Sequence, residues 1–140
     1  MTTLSADEAK RRFAAGRVAR MATVRPDSRP HLVPIVFATQ GDAIYSAVDE
    51  KPKRTPELKR LDNIRVNPNV TLMVDHYEDD WEAVWWARAD GTATVVEEGH
   101  ERDRARELLR AKYREYREGV EMVGAAVVVL VSRWSGWSYA

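Results

Sequence analysis

The sequence predicts a mainly β domain of α+β character. The expected form is a small closed or half-closed barrel of about six or seven mostly antiparallel strands. A short helix lies at the N-terminus, a second follows the third strand, and a longer one precedes the last strand. Three observations carry this. Short β-prone stretches recur between turns rich in Pro, Gly and Asp. Only three segments show helical spacing of apolar residues. The chain has 140 residues, 44% hydrophobic and 31% charged, which suits residues 1–140 as one domain with one core.

Leu4 stands at a staple position, Ser5 at an N-cap and Glu8 three residues later, a capping box opening a helix that Gly16 is placed to end. Ala6, Ala9 and Phe13 give it one apolar face. Strands are expected at 18–24, 31–39 and 43–47, separated by turn sequences at 25–30 and 40–42. Pro30 and Pro34 cannot donate to a ladder, so the second strand is expected to be an edge or to carry a bulge. Thr55 and Pro56 read as N-cap and first helical residue, with Leu58, Leu61 and Ile64 as the apolar stripe and Asn67-Pro68 as the stop. Strands follow at 70–74, 83–89 and 92–96, the last two joined by a hairpin through Asp90-Gly91. Residues 98–116 alternate as a surface helix closed by Gly119, and the apolar run 125–131 suits a strand buried on both faces.

Twenty-two cations balance 22 anions, which argues against a nucleic-acid or anionic-membrane partner, since phosphate binding needs surplus positive charge. The absence of cysteine removes disulfides, thiolate nucleophiles and Cys-ligated metals, so redox chemistry would have to come from a bound cofactor. The charged N-terminus and the lack of any long apolar run lead us to expect a cytoplasmic protein with no membrane partner. His31, His76 and His100 are scattered, and the acidic stretch at 75–82 lacks a spaced second histidine, so no metal site is expected. No nucleophile, base and acid stand at triad spacing, and no catalytic side chain is assigned.

The informative stretch is 51–68. Lys51, Lys53, Arg54, Lys59, Arg60 and Arg65 face only Glu57 and Asp62, a surplus of four positive charges in a neutral chain. Most of them precede or occupy the first turns of a helix, the end that already favours an anion. The bland alternative is a solvated charged face.

A strand ending Ile44-Tyr45-Ser46-Ala47, the basic pair Lys59-Arg60, Ile64 and then Asn67-Pro68-Asn69-Val70 resemble the split β-barrel flavin-binding family of the pyridoxamine 5′-phosphate oxidase type. With Asp75 to Trp81, Trp85-Trp86-Ala87-Arg88 and Asp90-Gly91-Thr92-Ala93, the chain is most similar to the actinobacterial branch that uses the deazaflavin coenzyme F420. The resemblance implies a homodimer that transfers a hydride between F420 and a small organic acceptor. Lys59 and Arg60 would hold the phosphate, with Lys51, Lys53 and Thr55 along the anionic tail. Backbone near Pro34 and around Ser46, Ala47 and Val48 would flank the ring system. Trp134 or Trp137 would wall a site, or else anchor the terminal segment. FMN on the same scaffold, and an F420 carrier without turnover, remain the alternatives. No counterpart is found for the family's C-terminal Arg and His substrate positions, which disfavours vitamin B6 oxidation.

Overall fold

A computed structural model describes residues 1–48 and 57–140, excluding the side chains of residues 57 and 58. Lys51, Lys53 and Thr55, and the N-cap expected at Thr55-Pro56, lie outside the described residues.

The elements in chain order are β1 (Thr2–Thr3), α1 (Ala6–Ala14), β2 (Ala19–Val24), β3 (Pro30–Ile35), β4 (Ala38–Gln40), β5 (Ala43–Ala47), α2 (Glu57–Val66), β6 (Asn69–His76), a 3-10 turn (Trp81–Ala83), β7 (Trp85–Val96), α3 (His100–Lys112), α4 (Arg114–Glu118) and β8 (Ala126–Ser138). Every described strand pairing is antiparallel. The order across the sheet is β3-β2-β6-β7-β8-β5-β4, with β1 paired to β8. The two outermost strands, β3 and β4, are separated in sequence only by Val36 and Phe37. The chain thus steps directly from one edge of the sheet to the other, which curls the sheet into a barrel split at that point. The split β-barrel expectation holds. The described residues form eight strands: 31–39 breaks into β3 and β4, β1 is additional, and the strands expected at 83–89 and 92–96 are one, β7.

Pro30 and Pro34 lie on β3, which is an edge, so neither removes a ladder bond that a central strand would need. Alternation then sorts the side chains. Phe13, Met21, Phe37, Ile44, Leu72, Val127 and Val129 fill the barrel. Tyr45, Ala47, Ala126 and Val128 face outward against Ala105, Leu109, Tyr113 and Tyr116 of α3 and the segment after it. β8 is therefore buried on both faces over residues 126–129 but not as far as the expected 131, since Leu130 is exposed; the outer face over 126–129 is covered by the chain's own helices.

Three local expectations are corrected. Asp90-Gly91 does not turn: β7 runs unbroken through it for 12 residues, because β6 pairs with it on one side and β8 on the other. Asp90 opposes Arg133 while Gly91 opposes Val131, leaving Ser132 as the extra residue of a bulge whose hydroxyl donates to the Asp90 carbonyl at 3.0 Å. Gly91 is required by close approach, since a Cβ there would lie 2.3 Å from the Leu130 carbonyl oxygen. The helix expected over 98–116 is interrupted at Tyr113, whose backbone is extended (φ −116°, ψ 123°). The buried Tyr113 hydroxyl accepts from the Phe37 N–H at 3.1 Å and donates towards the carbonyls of Arg17 (2.8 Å) and Phe37 (2.9 Å). Gly16 does follow the end of α1, just past the C-cap Ala15, and it is small because β6 crosses it: a Cβ would meet Val74 at 2.6 Å. Ser5 does cap α1 through the Glu8 N–H, but the Glu8 carboxylate turns to Arg11 and Arg12 and is held down to about 2 by those hydrogen bonds.

Candidate functional site

The β2–β3 hairpin and the outer turn of α2 make a groove. Arg25 donates its N–H to the Arg29 carbonyl at 2.9 Å, and Ser28 adopts φ 70°, closing a tight loop that needs a left-handed residue at its last position. This loop faces α2. Between them lies a groove of about 380 Å³ lined by Arg25, Pro26, Asp27, Lys59, Asp62 and Asn63.

Beside the groove, on the inward side of Asn63, lies a buried polar cluster. Thr23 points into the barrel and accepts a hydrogen bond from the Asn63 amide at 3.1 Å, joining α2 to β2. His31 is the cross-strand partner of Thr23, so its imidazole emerges on the same inward face. It is 7% exposed, and its Nδ1 has no hydrogen-bond partner among the described residues. Arg60, one position along α2 from Lys59, is 3% exposed. Burial first, then the positive charges of Arg25, Lys59 and Arg60, push His31 below its ordinary value, which keeps the imidazole neutral near pH 7. Asp27 and Asp62 share the rim but are turned to Arg29 (3.9 Å) and Arg65 (3.4 Å). An anion entering the groove meets Arg25 and Lys59 directly, while Arg60 and the His31 ring are buried beside it and add to the local positive field.

The expected site residues fall into three groups. Lys59 and Arg60 are brought together with Arg25 and His31, Lys59 exposed at the rim and Arg60 beneath it. Ser46 and Ala47 are buried on β5, Val48 is half-buried just beyond it, and Pro34 is exposed on β3 opposite Arg20. Trp134 and Trp137 belong to β8 rather than to a trailing segment. The Trp134 indole donates to the Asp42 carboxylate at 2.9 Å and meets Phe13 edge-on at 5.3 Å. Trp137 sits 6.3 Å from the Tyr139 ring, which Trp81 also approaches at 6.0 Å. These contacts tie the end of β8 to α1, the β4–β5 turn and the 3-10 turn.

Sequence reasoning missed Arg25, Thr23, His31 and Asn63 as site residues. A signal existed for two of them. Asn63 lies three residues after Arg60 on the same helical face, and a histidine in an apolar, alternating strand is worth asking about because it must find a partner once buried. No group of metal-ligating side chains occurs among the described residues. No described helix is long and apolar enough to cross a membrane.

The pyridoxamine 5′-phosphate oxidase family profile matches residues 5–137. No curated protein matches the chain. Among solved structures, an FAD-binding protein from Mesorhizobium loti is 25% identical, with a TM-score of 0.72 and coverage of 96% of this chain and 95% of that one. The FAD-binding protein from Mycobacterium smegmatis is 21% identical, with a TM-score of 0.66 and coverage of 97% and 95%. A conserved hypothetical protein from Mycobacterium tuberculosis is 21% identical, with a TM-score of 0.73 and coverage of 96% and 85%. With a family match over nearly the whole chain and the same fold in these relatives, this chain belongs to the pyridoxamine 5′-phosphate oxidase family.

Proposed function

We propose that the protein is an oxidoreductase that binds coenzyme F420 and, working as a homodimer, passes a hydride between it and a small organic acceptor. The observation that carries the anionic cofactor is the groove lined by Arg25 and Lys59, with Arg60 and His31 buried beside it. When bound, the deazaflavin supplies the hydride chemistry, which is why the chain needs no nucleophile of its own. Arg25 and Lys59 neutralise the phosphate at the rim, and Asn63, fixed by Thr23, keeps the turn of α2 that presents Lys59 in register with β2. Lys51 and Lys53 would supply further positive charge, and Thr55 a hydroxyl, for the anionic tail. β5, through Ser46, Ala47 and Val48, and β3, through Pro34, offer backbone to the ring system. Trp134, held by its N–H bond to Asp42 and its edge contact with Phe13, and Trp137 are the candidates to wall the site. F420 is favoured because its phosphodiester and glutamate tail match a cation track longer than one phosphate needs.

A second reading, an FAD or FMN protein on the same scaffold, is favoured by the two solved relatives described as FAD-binding. Quenching of tryptophan fluorescence by F420, FAD and FMN at 0.15 M salt separates the readings. F420 should bind tightest, and Lys59→Ala should weaken it by about tenfold, the loss of one charge-assisted hydrogen bond of about 1.5 kcal/mol. Binding of FAD or FMN without F420 would leave the scaffold and replace the cofactor, whereas binding of none would overturn the function. Oxidation of reduced F420 by quinones, enones or nitro compounds distinguishes an enzyme from a carrier.

A further inference from the structure

We propose that His31 couples a proton to anion binding: an anion seated in the groove between the β2–β3 turn and α2 draws a proton onto the buried imidazole, so the site holds its ligand more tightly as pH falls. This rests on the reading of that groove as the cofactor's anion site and adds to it a protonation partner.

The geometry is specific. His31 is held rigidly in β3 opposite Thr23, and Thr23 is hydrogen-bonded to Asn63 on the groove wall. The imidazole shares the inward face with Thr23 and is 7% exposed, with Nδ1 lacking a partner among the described residues. Buried polar atoms are almost always satisfied, and one left open beside a groove is positioned for something that arrives there. The charged groups acting on His31 are Arg25 from the hairpin turn and Lys59 and Arg60 from α2; the rim carboxylates Asp27 and Asp62 are turned to Arg29 and Arg65. With the groove free of anion, three positive charges and burial all oppose a fourth positive charge. An anion in the groove offsets that positive field, so protonation of the ring becomes less unfavourable and the added proton balances the ligand's charge. His31 and its proton act on affinity, as a positioning and charge-balancing pair, with no role in hydride transfer.

Linkage fixes the sign. If the anion raises the His31 midpoint, the protonated form binds the anion better, and affinity rises as pH falls through the bound-state midpoint. Inorganic sulfate is the right probe, because it stays a dianion from pH 5 to 9 and does not titrate itself. In the His76→Gln/His100→Gln variant, which removes two exposed histidines, the one remaining imidazole signal reports His31 directly by NMR. The midpoint is expected to rise by about one unit in saturating sodium sulfate relative to sodium chloride at equal ionic strength. Sulfate should correspondingly bind up to about tenfold more tightly at pH 5.5 than at pH 8. If sulfate shifts the backbone amide signals of Lys59 and Asn63 but leaves the His31 midpoint in place, the coupling is overturned while the anion groove stands. If sulfate moves neither, both the coupling and the reading of the groove fall.

Discussion

Tyr113→Phe tests the join at which the barrel is split. Phe37 is fully buried in the two-residue step between β3 and β4, where no neighbouring strand is available for its backbone. The Tyr113 hydroxyl takes that place, accepting from the Phe37 N–H and donating towards the carbonyls of Phe37 and Arg17. Removing one oxygen leaves a desolvated N–H with no partner, worth about 1–3 kcal/mol, while the ring and its packing against Tyr116 stay. A loss of about 2 kcal/mol is expected. In urea the midpoint should fall with an unchanged slope, and thermal unfolding should drop by about 7 °C for a chain of this size. The Phe37 amide should exchange with solvent faster than its neighbours in β3. Tyr45→Phe serves as a control, because its hydroxyl meets only the exposed Glu101, at 3.1 Å, and should cost no more than about 1 kcal/mol. A Tyr113→Phe loss below about 0.5 kcal/mol, or unchanged exchange at Phe37, would refute the claim that this hydroxyl holds the two sheet edges together.

Two further changes follow from the same packing. Gly91→Ala would drive a Cβ against the Leu130 carbonyl, so the bulge at Ser132 must shift; urea unfolding should show a loss of about 2–3 kcal/mol. Lys112 lies with its ammonium 3.8 Å above the Phe37 ring, and burial, then Arg17, pushes it down to about 8. The unfolded chain keeps its proton up to about 10.5, so between those values the unfolded state binds more protons and this group makes stability rise with pH. Lys112→Met should remove that rise and stabilise the protein at pH 7 by about 1 kcal/mol, discounted from the full shift because the side chain is half-exposed.

Legibility in the sequence tracked how local each cause was. β5 emerged with the bounds it has, because Gly41-Asp42 before it and the alternation within it are both local. The edge position of β3 followed from Pro30 and Pro34, whose missing N–H groups constrain the ladder wherever they sit. The Asp90-Gly91 hairpin failed because a turn dipeptide and a glycine pressed against another strand look alike until the neighbours are known. The break at Tyr113 was invisible for a similar reason: its cause is the carbonyl and amide of Phe37, 76 residues away. At the site, the Lys59-Arg60 pair could be read as cations, but which one faces the groove depends on how α2 lies on β2. His31 looks isolated in sequence because the cations that act on it, Arg25 and those of α2, are brought near only by the hairpin and by the packing of α2 on β2.

The neutral net charge hides a separation whose effect on the groove can be calculated. Asn63 joins α2 to Thr23, next to the end of β2 that pairs with Thr71, so the cationic groove lies towards the Asn69 end of β6. Asp75, Glu78, Asp79, Asp80 and Glu82 cluster at its His76 end, with Asp75 drawn to Arg20 at 3.5 Å. Eight extended residues put the two ends roughly 20 Å apart. At that distance one charge pair is worth about 0.2 kcal/mol in water, and at 0.15 M salt the separation exceeds two Debye lengths of about 8 Å, leaving a few hundredths of a kcal/mol. Asp79→Asn/Asp80→Asn should therefore leave sulfate affinity unchanged within about 1.5-fold at 0.15 M salt, whereas Lys59→Ala should lower it by about tenfold. A change of more than threefold in the acidic-loop variant would contradict the separation along β6. It would require the loop to approach a groove by another route, and a second copy of the chain would supply one. The same titration repeated across protein concentration decides that case, because a loop delivered by a partner loses its effect as the dimer dissociates.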